Sequence, residues 1–316
     1  MEIFLAATSH SALSNNPVLK NEAEEQPFRA ALAGLAEKVR DFDPDLILQF
    51  GNDHNSGMSL RLMPPFMVGM RAKALGDFDT STGPLLVDED ASRTIASGLH
   101  DKGIDIATTY DWTVDHGFVW ALDQLLGGID KVPVVPVFTN CGGDLRPPFH
   151  RSYELGKTIG EILKRDFSHR RVLILASGGL SHDPPLPSFK DSPPEVQEAM
   201  IRGTTWDKDS LELRKERVAQ AGIEHAAGEG DLKPLNPEWD AWIMSRLEQG
   251  DLGELASMED SVVIETGGRG GSEVRNWLSA FAAMRAAAGE YSATRHYYRP
   301  LPHWIVGWGM MYAEAA

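Results

Sequence analysis

The stretch that decides the fold runs from Leu173 to His182 and reads LILASGGLSH. An apolar run of this kind is typical of a strand buried on both faces of a parallel sheet. Two glycines and a histidine follow it, and ligands of open α/β proteins bind at the carboxyl ends of such strands. We therefore interpret residues 171–176 as a central strand that carries His182 to the ligand-binding edge of the sheet.

The same arrangement, an apolar strand followed by a histidine, occurs twice more. Residues 4–10 read FLAATSH and end on His10, and residues 46–54 read LILQFGNDH and end on His54. A fourth histidine, His116, lies between a predicted strand and a predicted helix. Because parallel strands of one sheet end at the same edge, we expect these histidines to lie close together. Neutral imidazole is the commonest protein ligand of metals, so the pattern predicts a metal or acid–base site.

Strand-like and helix-like segments alternate along the first half of the chain. Helices are predicted at 21–42, 88–102, 116–126 and 150–165, and strands at 46–50, 104–108, 132–139 and 171–176. This alternation predicts an α/β fold, a mostly parallel central sheet with helices on both faces. Pro136 cannot donate a ladder hydrogen bond, which favours an edge position for the strand 132–139.

The composition changes after residue 191. Between 192 and 258 charge rises and strand signals vanish, which indicates a helical insertion within one catalytic domain, 1–316, or else a small second domain. Glycine-rich 267–271 is interpreted as a flexible loop. A helix is predicted from 273 to 287, and 297–308 are interpreted as a final loop and strand.

Composition and charge exclude several functions. The 316 residues carry a net charge of -16, which argues against nucleic acid and means that an anionic substrate needs a local Arg or Lys. No apolar run is long enough for a membrane helix, so no membrane partner is expected. The single cysteine, Cys141, and the absence of a basic leader predict a cytoplasmic protein. Cys141 has no base in its local sequence and is interpreted as an unreactive thiol.

The residues alone leave the metal open. Two histidines and a carboxylate suit a non-haem Fe(II) oxygenase, whereas three protein ligands and a water suit a catalytic zinc. No phosphate-binding Gly-x-x-x-x-Gly-Lys motif and no Gly-x-Ser-x-Gly elbow competes with this site.

Taken together, an ordered set of motifs resembles the class III extradiol ring-cleavage dioxygenases, the superfamily of the protocatechuate 4,5-dioxygenase β subunit. The motifs span nearly the whole chain: SHS at 9–11, NDH at 52–54, MPPF at 63–66, VDHG at 114–117, SGGLSH at 177–182, EVRNW at 273–277 and YYRP at 297–300. Together they are far more specific than any one of them.

The resemblance implies a role for each candidate residue. His10 and His54 would be the imidazole ligands of Fe(II), and Glu273 would supply the carboxylate, with Glu265 as the nearest rival. His182 would be the base that deprotonates the substrate, and His116 the proton donor.

The function implied is extradiol cleavage of a substituted catechol by O2 in aromatic catabolism, by a homo-oligomer. The substrate would be 2,3-dihydroxyphenylpropionate or a related 3-substituted catechol, with an aminophenol still open. Residues 55–61 read NSGMSLR where an aromatic-rich run is expected, which leaves the ring substituent open; Arg61 is a candidate partner for a substrate carboxylate. The alternatives are a zinc-dependent hydrolase with the same His/His/Glu set and a non-catalytic binding relative on this fold.

Overall fold

The computed structural model describes residues 1–16 and 22–316. Within these ranges the strands are β1 (Glu2–Thr8), β2 (Leu46–Gly51), β3 (Phe66–Gly69), β4 (Ala72–Leu75), β5 (Thr82–Pro84), β6 (Ala107–Thr109), β7 (Trp112–Val114), β8 (Val134–Thr139), β9 (Arg171–Ser177), β10 (Tyr291–Leu301) and β11 (Val306–Ala315). The helices are α1 (Glu22–Phe42), α2 (Glu89–Asp101), α3 (His116–Leu126), α4 (Phe149–Asp166), α5 (Pro194–Arg202), α6 (Lys208–Ala227), α7 (Pro237–Gln249), α8 (Leu252–Ala256), α9 (Asp260–Gly267) and α10 (Val274–Ala288). The predicted first residue of the first helix, Asn21, lies outside the described residues.

Eight of the described strands form the central sheet, in the order β10-β11-β1-β9-β2-β8-β3-β6. β1, β9, β2 and β8 are parallel neighbours, while β3 joins β8, and β11 joins β1, in antiparallel fashion. β9 lies between β1 and β2, and Ser177 pairs with Thr8 at the end of the ladder. The residues that follow these three strands are therefore neighbours.

Apolar side chains alternate between the two faces of the sheet, and helices cover both. Phe4 and Leu175 face a core shared with α1 and α3, whereas Leu5 and Ile174 face a core shared with α2, α4 and α10. Such two-sided burial explains why the central strands read as continuous apolar runs. The predicted α/β fold, with a mostly parallel sheet and helices on both faces, is confirmed.

The prediction that Pro136 puts its strand at an edge is wrong. β8 lies between β2 and β3 inside the sheet. Val134 bridges to Val87, and β3 pairs only with residues 137–139, so Pro136 falls between two partners on that side. Its missing N–H therefore costs no ladder hydrogen bond, which is how an interior strand accommodates the residue.

Three smaller predictions also change. The tail is a long antiparallel hairpin, β10–β11, in place of a loop and one strand. The strand predicted at 104–108 is only Ala107–Thr109. The glycine-rich 267–271 is not a flexible loop: Gly270 and Gly271 are buried and begin a 3-10 helix, Gly270–Glu273, that runs into α10.

Within 192–258 the described secondary structure is helical, in α5, α6, α7 and α8. Among the described helices, none has the length and apolar character that crossing a bilayer requires.

Candidate metal centre

Two histidines meet where β1 and β2 end. The Nε2 atoms of His10 and His54 lie 3.4 Å apart, and the two ring planes are nearly perpendicular, at 89°. Perpendicular planes intersect, so the in-plane lone pairs of both Nε2 atoms can be directed at one point.

Glu273 completes the group from the opposite side. It ends the 3-10 helix before α10, and its carboxylate is buried with Oε1 3.3 Å from His54 Nε2 and Oε2 3.7 Å from His10 Nε2. Glu265, the rival candidate, lies exposed on α9. The geometry therefore brings Glu273, and not Glu265, to the histidines.

Both carboxylate oxygens of Glu273 are held by neighbouring donors. The backbone N–H of Gly179, in the loop after β9, donates to Oε2 at 2.7 Å, and Asn52 Nδ2 donates to Oε1 at 3.0 Å. Asn276 in turn donates to Asn52 Oδ1 and to the Ser177 carbonyl, both at 3.0 Å. This network fixes the carboxylate relative to the ends of β2 and β9.

The second ring nitrogen of each histidine is also occupied. His10 Nδ1 lies 2.9 Å from Ser177 Oγ, and His54 Nδ1 lies 3.1 Å from Asp115 Oδ2. Asp115 also accepts the backbone N–H of His54 at 2.9 Å and that of Gly117 at 2.9 Å, where it caps α3. A carboxylate behind a histidine keeps the proton on Nδ1 and leaves Nε2 free to bind a metal.

Burial and charge oppose one another throughout the group. Burial lowers the pKa of His10 to about 3, against the attraction of Glu273. At His54, burial lowers the pKa but is outweighed by the Asp115 and Glu273 carboxylates, which raise it well above its usual value. Burial would raise the pKa of Glu273, yet His182, His10 and His54 hold it well below its usual range. The group thus concentrates ionised carboxylate in a buried space, which suits a cation.

His116, the first residue of α3, stacks on His54. The two rings are 4.4 Å apart between centroids and only 11° from parallel, so an ion in the plane of one ring does not lie in the plane of the other. The carboxylate partner of His116 is Asp77, whose Oδ2 lies 2.7 Å from Nδ1. Asp115, although it precedes His116 in the chain, faces His54 instead.

His182 lies on the other side of the group. Its Nδ1 is 2.9 Å from the Leu180 carbonyl, which fixes the proton there, and its Nε2 is 3.4 Å from Glu273 Oε1. A Cβ on Gly270 would come within 2.1 Å of that Nε2, and one on Gly179 within 2.5 Å of the ring. The glycines that follow β9 and α9 are thus needed for the ring to reach Glu273.

A pocket opens over these side chains. We call its inner part, lined by His10, His54, His116 and His182, the metal end. The rest is the distal end, which is lined by Ser11, Ala12, Leu13, Phe78, Pro184, Pro185, Leu186, Arg214, Val218, Trp304, Ile305 and Val306. Apolar groups dominate the distal end, as expected of a small-molecule site.

Two other sequence candidates lie away from this pocket. Arg61 is exposed and does not line it. Cys141 is buried, and burial raises the pKa of its thiol, as expected of an unreactive side chain. Sequence reasoning missed Asp77 and Arg214, because neither stands next to a strand-end histidine in the chain.

The donor set fits a transition metal. Donors about 2.1 Å from one ion, at octahedral or tetrahedral angles, lie about 3.0–3.4 Å apart, close to the 3.3, 3.4 and 3.7 Å separations of His10, His54 and Glu273. Ligand-capable atoms of His10, His54 and His116 also lie within 4.8 Å of one another, as do those of Asp77, Asp115 and His116. The parallel stacking of His116 on His54 argues against the first of these groups as one metal site. In the second group, Asp115 is paired with His54 and Asp77 with His116.

Known proteins are similar to this chain over nearly its whole length. Residues 5–309 match the family described as the catalytic LigB subunit of aromatic ring-opening dioxygenase. The chain belongs to this LigB family.

Curated relatives named 2,3-dihydroxyphenylpropionate/2,3-dihydroxicinnamic acid 1,2-dioxygenase are similar over nearly their whole length. The relative from Photorhabdus laumondii is 41% identical over 99% of this chain and 98% of its own. The relative from a Rhodococcus species is 40% identical over 100% of this chain and 99% of its own. The relative from Paraburkholderia xenovorans is 39% identical over 99% of this chain and 98% of its own.

A solved structure supports the fold of this LigB-family chain. It is the crystal structure of uncharacterized protein JW3007 from Escherichia coli K12, with a TM-score of 0.52, 14% identity and 98% coverage of both chains. At that identity the likeness concerns the fold alone. The family membership confirms the resemblance found in the sequence and identifies the class of enzyme, an aromatic ring-opening dioxygenase.

Proposed function

We propose that this protein catalyses Fe(II)-dependent extradiol cleavage of a catechol that carries a carboxylate-bearing side chain next to its hydroxyls, such as 2,3-dihydroxyphenylpropionate. His10, His54 and Glu273 would hold the iron. The family membership and the names of the curated relatives support the reaction and the substrate class.

The single observation that carries the proposal is the meeting of two perpendicular imidazoles and one buried carboxylate at the sheet edge. Two histidines and a carboxylate on one side of an ion are the donor set of non-haem Fe(II) oxygenases. Fe(II) held by these residues would bind substrate and O2 together and would supply the capacity to pass electrons between them.

The two remaining histidines have the geometry of proton carriers. His182 keeps its proton on Nδ1, towards the Leu180 carbonyl, so its Nε2 is free to take a proton from a catechol hydroxyl. His116 is fixed through Nδ1 by Asp77. When its Nε2 also carries a proton, His116 can donate that proton as the ring opens and become neutral. Burial lowers the pKa of His182, but the Glu273 carboxylate outweighs burial and raises it, which strengthens His182 as a base. Both atoms of O2 enter the product, one at each carbon of the broken bond.

The pocket favours an aromatic substrate with a side chain. Its walls beyond the metal end are formed by Phe78, Trp304, Pro185 and Leu13, among others, which pack well against a flat ring. The metal-binding and apolar parts of the pocket are continuous, so a ring could be held against both.

The test is reconstitution of the metal-free protein under anaerobic conditions, with Fe(II) in one sample and Zn(II) in a matched control. We expect O2 uptake and a yellow ring-fission product from 2,3-dihydroxyphenylpropionate with Fe(II) only. No uptake with Fe(II), or hydrolytic activity with Zn(II), would overturn the proposal in favour of a zinc hydrolase on the same residues.

A further inference from the structure

The distal end contains one cationic side chain among its lining residues in the described part of the chain. That residue is Arg214, on α6. The chain as a whole carries a net charge of -16, so an anionic substrate is repelled unless a local cation compensates.

Resting on the proposed function, we propose that Arg214 binds the carboxylate of the substrate side chain and sets the preference for acidic catechols. The residue comes from the helical segment 192–258, which thereby contributes directly to the pocket. It takes the role that the sequence suggested for the exposed Arg61.

The position of Arg214 matches that role. Its guanidinium carbon lies 5.2 Å from the ring centroid of Phe78 and 4.8 Å from that of Trp206. Phe78 also contacts His116, with ring centroids 5.0 Å apart. Phe78 therefore contacts both Arg214 and the proposed proton donor, His116, and all three residues line the pocket. A catechol ring beside His116 would place its side chain across Phe78 towards Arg214.

Arg214 is also held in place without being fully paired. NH1 donates to Ser56 Oγ at 2.8 Å. NH1 is also 3.5 Å from Asp77 Oδ2, and NH2 is 3.5 Å from the His54 carbonyl oxygen, both at the limit of a hydrogen bond. A guanidinium has five N–H donors in a planar fork that matches a carboxylate. The side chain is buried and stacked, so little of its freedom remains to be lost on binding.

A different role is possible for such a residue, because its charge also balances Asp77, which holds His116. The two roles predict different results. A residue that acts only through Asp77 changes the turnover of every catechol alike. A residue that binds the side-chain carboxylate changes only those substrates that have one.

The experiment compares kcat/KM for 2,3-dihydroxyphenylpropionate with that for 3-propylcatechol, which has the same chain without the carboxylate. Any loss through Asp77 is common to both and cancels in their ratio. We expect Arg214→Gln to lower this ratio by about 10- to 100-fold, the usual effect of removing a charge-assisted hydrogen bond. Arg214→Lys should give a ratio between those of wild type and Arg214→Gln, because a lysine keeps the positive charge but not the planar fork of N–H donors. Arg61→Gln is the matched control and should leave the ratio within about twofold.

A second measurement needs no turnover. Calorimetric titration of the metal-free protein with 3-phenylpropionate should give binding that weakens at high salt and is lost in Arg214→Gln. An unchanged substrate ratio, or equal binding by wild type and Arg214→Gln, would overturn the assignment. If the iron-loaded wild type cleaves neither catechol, the proposed function fails, and the titration still decides the role of Arg214.

Discussion

The two ends of the pocket are built in different ways. At the metal end, His10, His54 and His182 follow three adjacent parallel strands, and their spacing is set by sheet register. At the distal end, Phe78, Arg214 and Trp304 come from separate, irregular or helical parts of the chain. Under the proposed function, the sheet register would therefore position both histidine ligands and the base, whereas the helices and loops that cover the sheet would select the substrate side chain.

The largest effect should come from removing His182, the proposed base at the metal end. His182→Gln should retain iron but lower kcat/KM by about 1,000-fold, within the usual range for general acid–base catalysis. The residual rate should rise steadily with pH, because only substrate that has already ionised can react. Steady-state kinetics across pH measures this. The exposed His169→Gln is the control; an unchanged pH profile in His182→Gln would refute the assigned role.

The contact between α7 and the sheet should give a pH-dependent stability. Asp240 on α7 accepts hydrogen bonds from the Ser181 N–H at 2.7 Å, Ser181 Oγ at 2.8 Å and Tyr298 at 2.7 Å, and so joins the helical segment to the sheet beside His182. Burial raises the pKa of Asp240 to about 6, although these hydrogen bonds oppose the shift.

A raised carboxyl pKa means that the folded protein binds the proton more tightly than the unfolded chain. The contribution of Asp240 to the free energy of unfolding should therefore fall as pH rises from about 4 to 6, by about 3 kcal/mol in all, and stay lower above pH 6. Asp240→Asn lacks this dependence, so its stability relative to wild type should improve by that amount over the interval. Denaturant unfolding of metal-free protein measures it. Exposed Asp209→Asn should keep the wild-type slope; the same slope in Asp240→Asn would contradict the account.

Removing Asp115, which orients the proposed metal ligand His54, should have a smaller effect than removing His182. Asp115→Asn should weaken Fe(II) affinity by about 10- to 100-fold, because His54 loses the carboxylate that keeps its Nε2 free. Competition with a metal indicator dye measures the affinity, with thermal unfolding to check that the fold is intact. Asp111→Asn, an exposed acid four residues earlier, is the control. Equal affinities in the two variants would exclude a role for Asp115.

The smallest effect belongs to the distal wall. Val218→Ala removes two methyl groups from that wall, which should raise KM for 2,3-dihydroxyphenylpropionate about fivefold through lost apolar contact. Iron content should be unaltered. Exposed Val262→Ala is the matched control. A loss of iron in Val218→Ala would contradict the separation of metal binding from substrate binding between the two ends.

The metal end was predictable from sequence because a two-sided buried strand leaves a recognisable apolar run and its end is an obvious place for a polar side chain. His10, His54 and His182 carry that signal. Asp77 and Arg214 do not, since their partners lie 39 residues away, at His116, and 158 residues away, at Ser56. Long-range pairing likewise hid β10, whose mixed aromatic and charged residues form a strand only against β11. The edge position predicted from Pro136 was wrong for the same reason, because whether a strand can accommodate a proline depends on which partner residues lie opposite it.

The most direct test of the central claim is the iron stoichiometry of Glu273→Gln. Metal-free wild type, Glu273→Gln and Glu265→Gln would be loaded with Fe(II) anaerobically, freed of excess metal and analysed for iron per chain. We predict one Fe(II) per chain in wild type and in Glu265→Gln, and almost none in Glu273→Gln. Full iron in Glu273→Gln, or its loss in Glu265→Gln, would contradict a centre built from His10, His54 and Glu273.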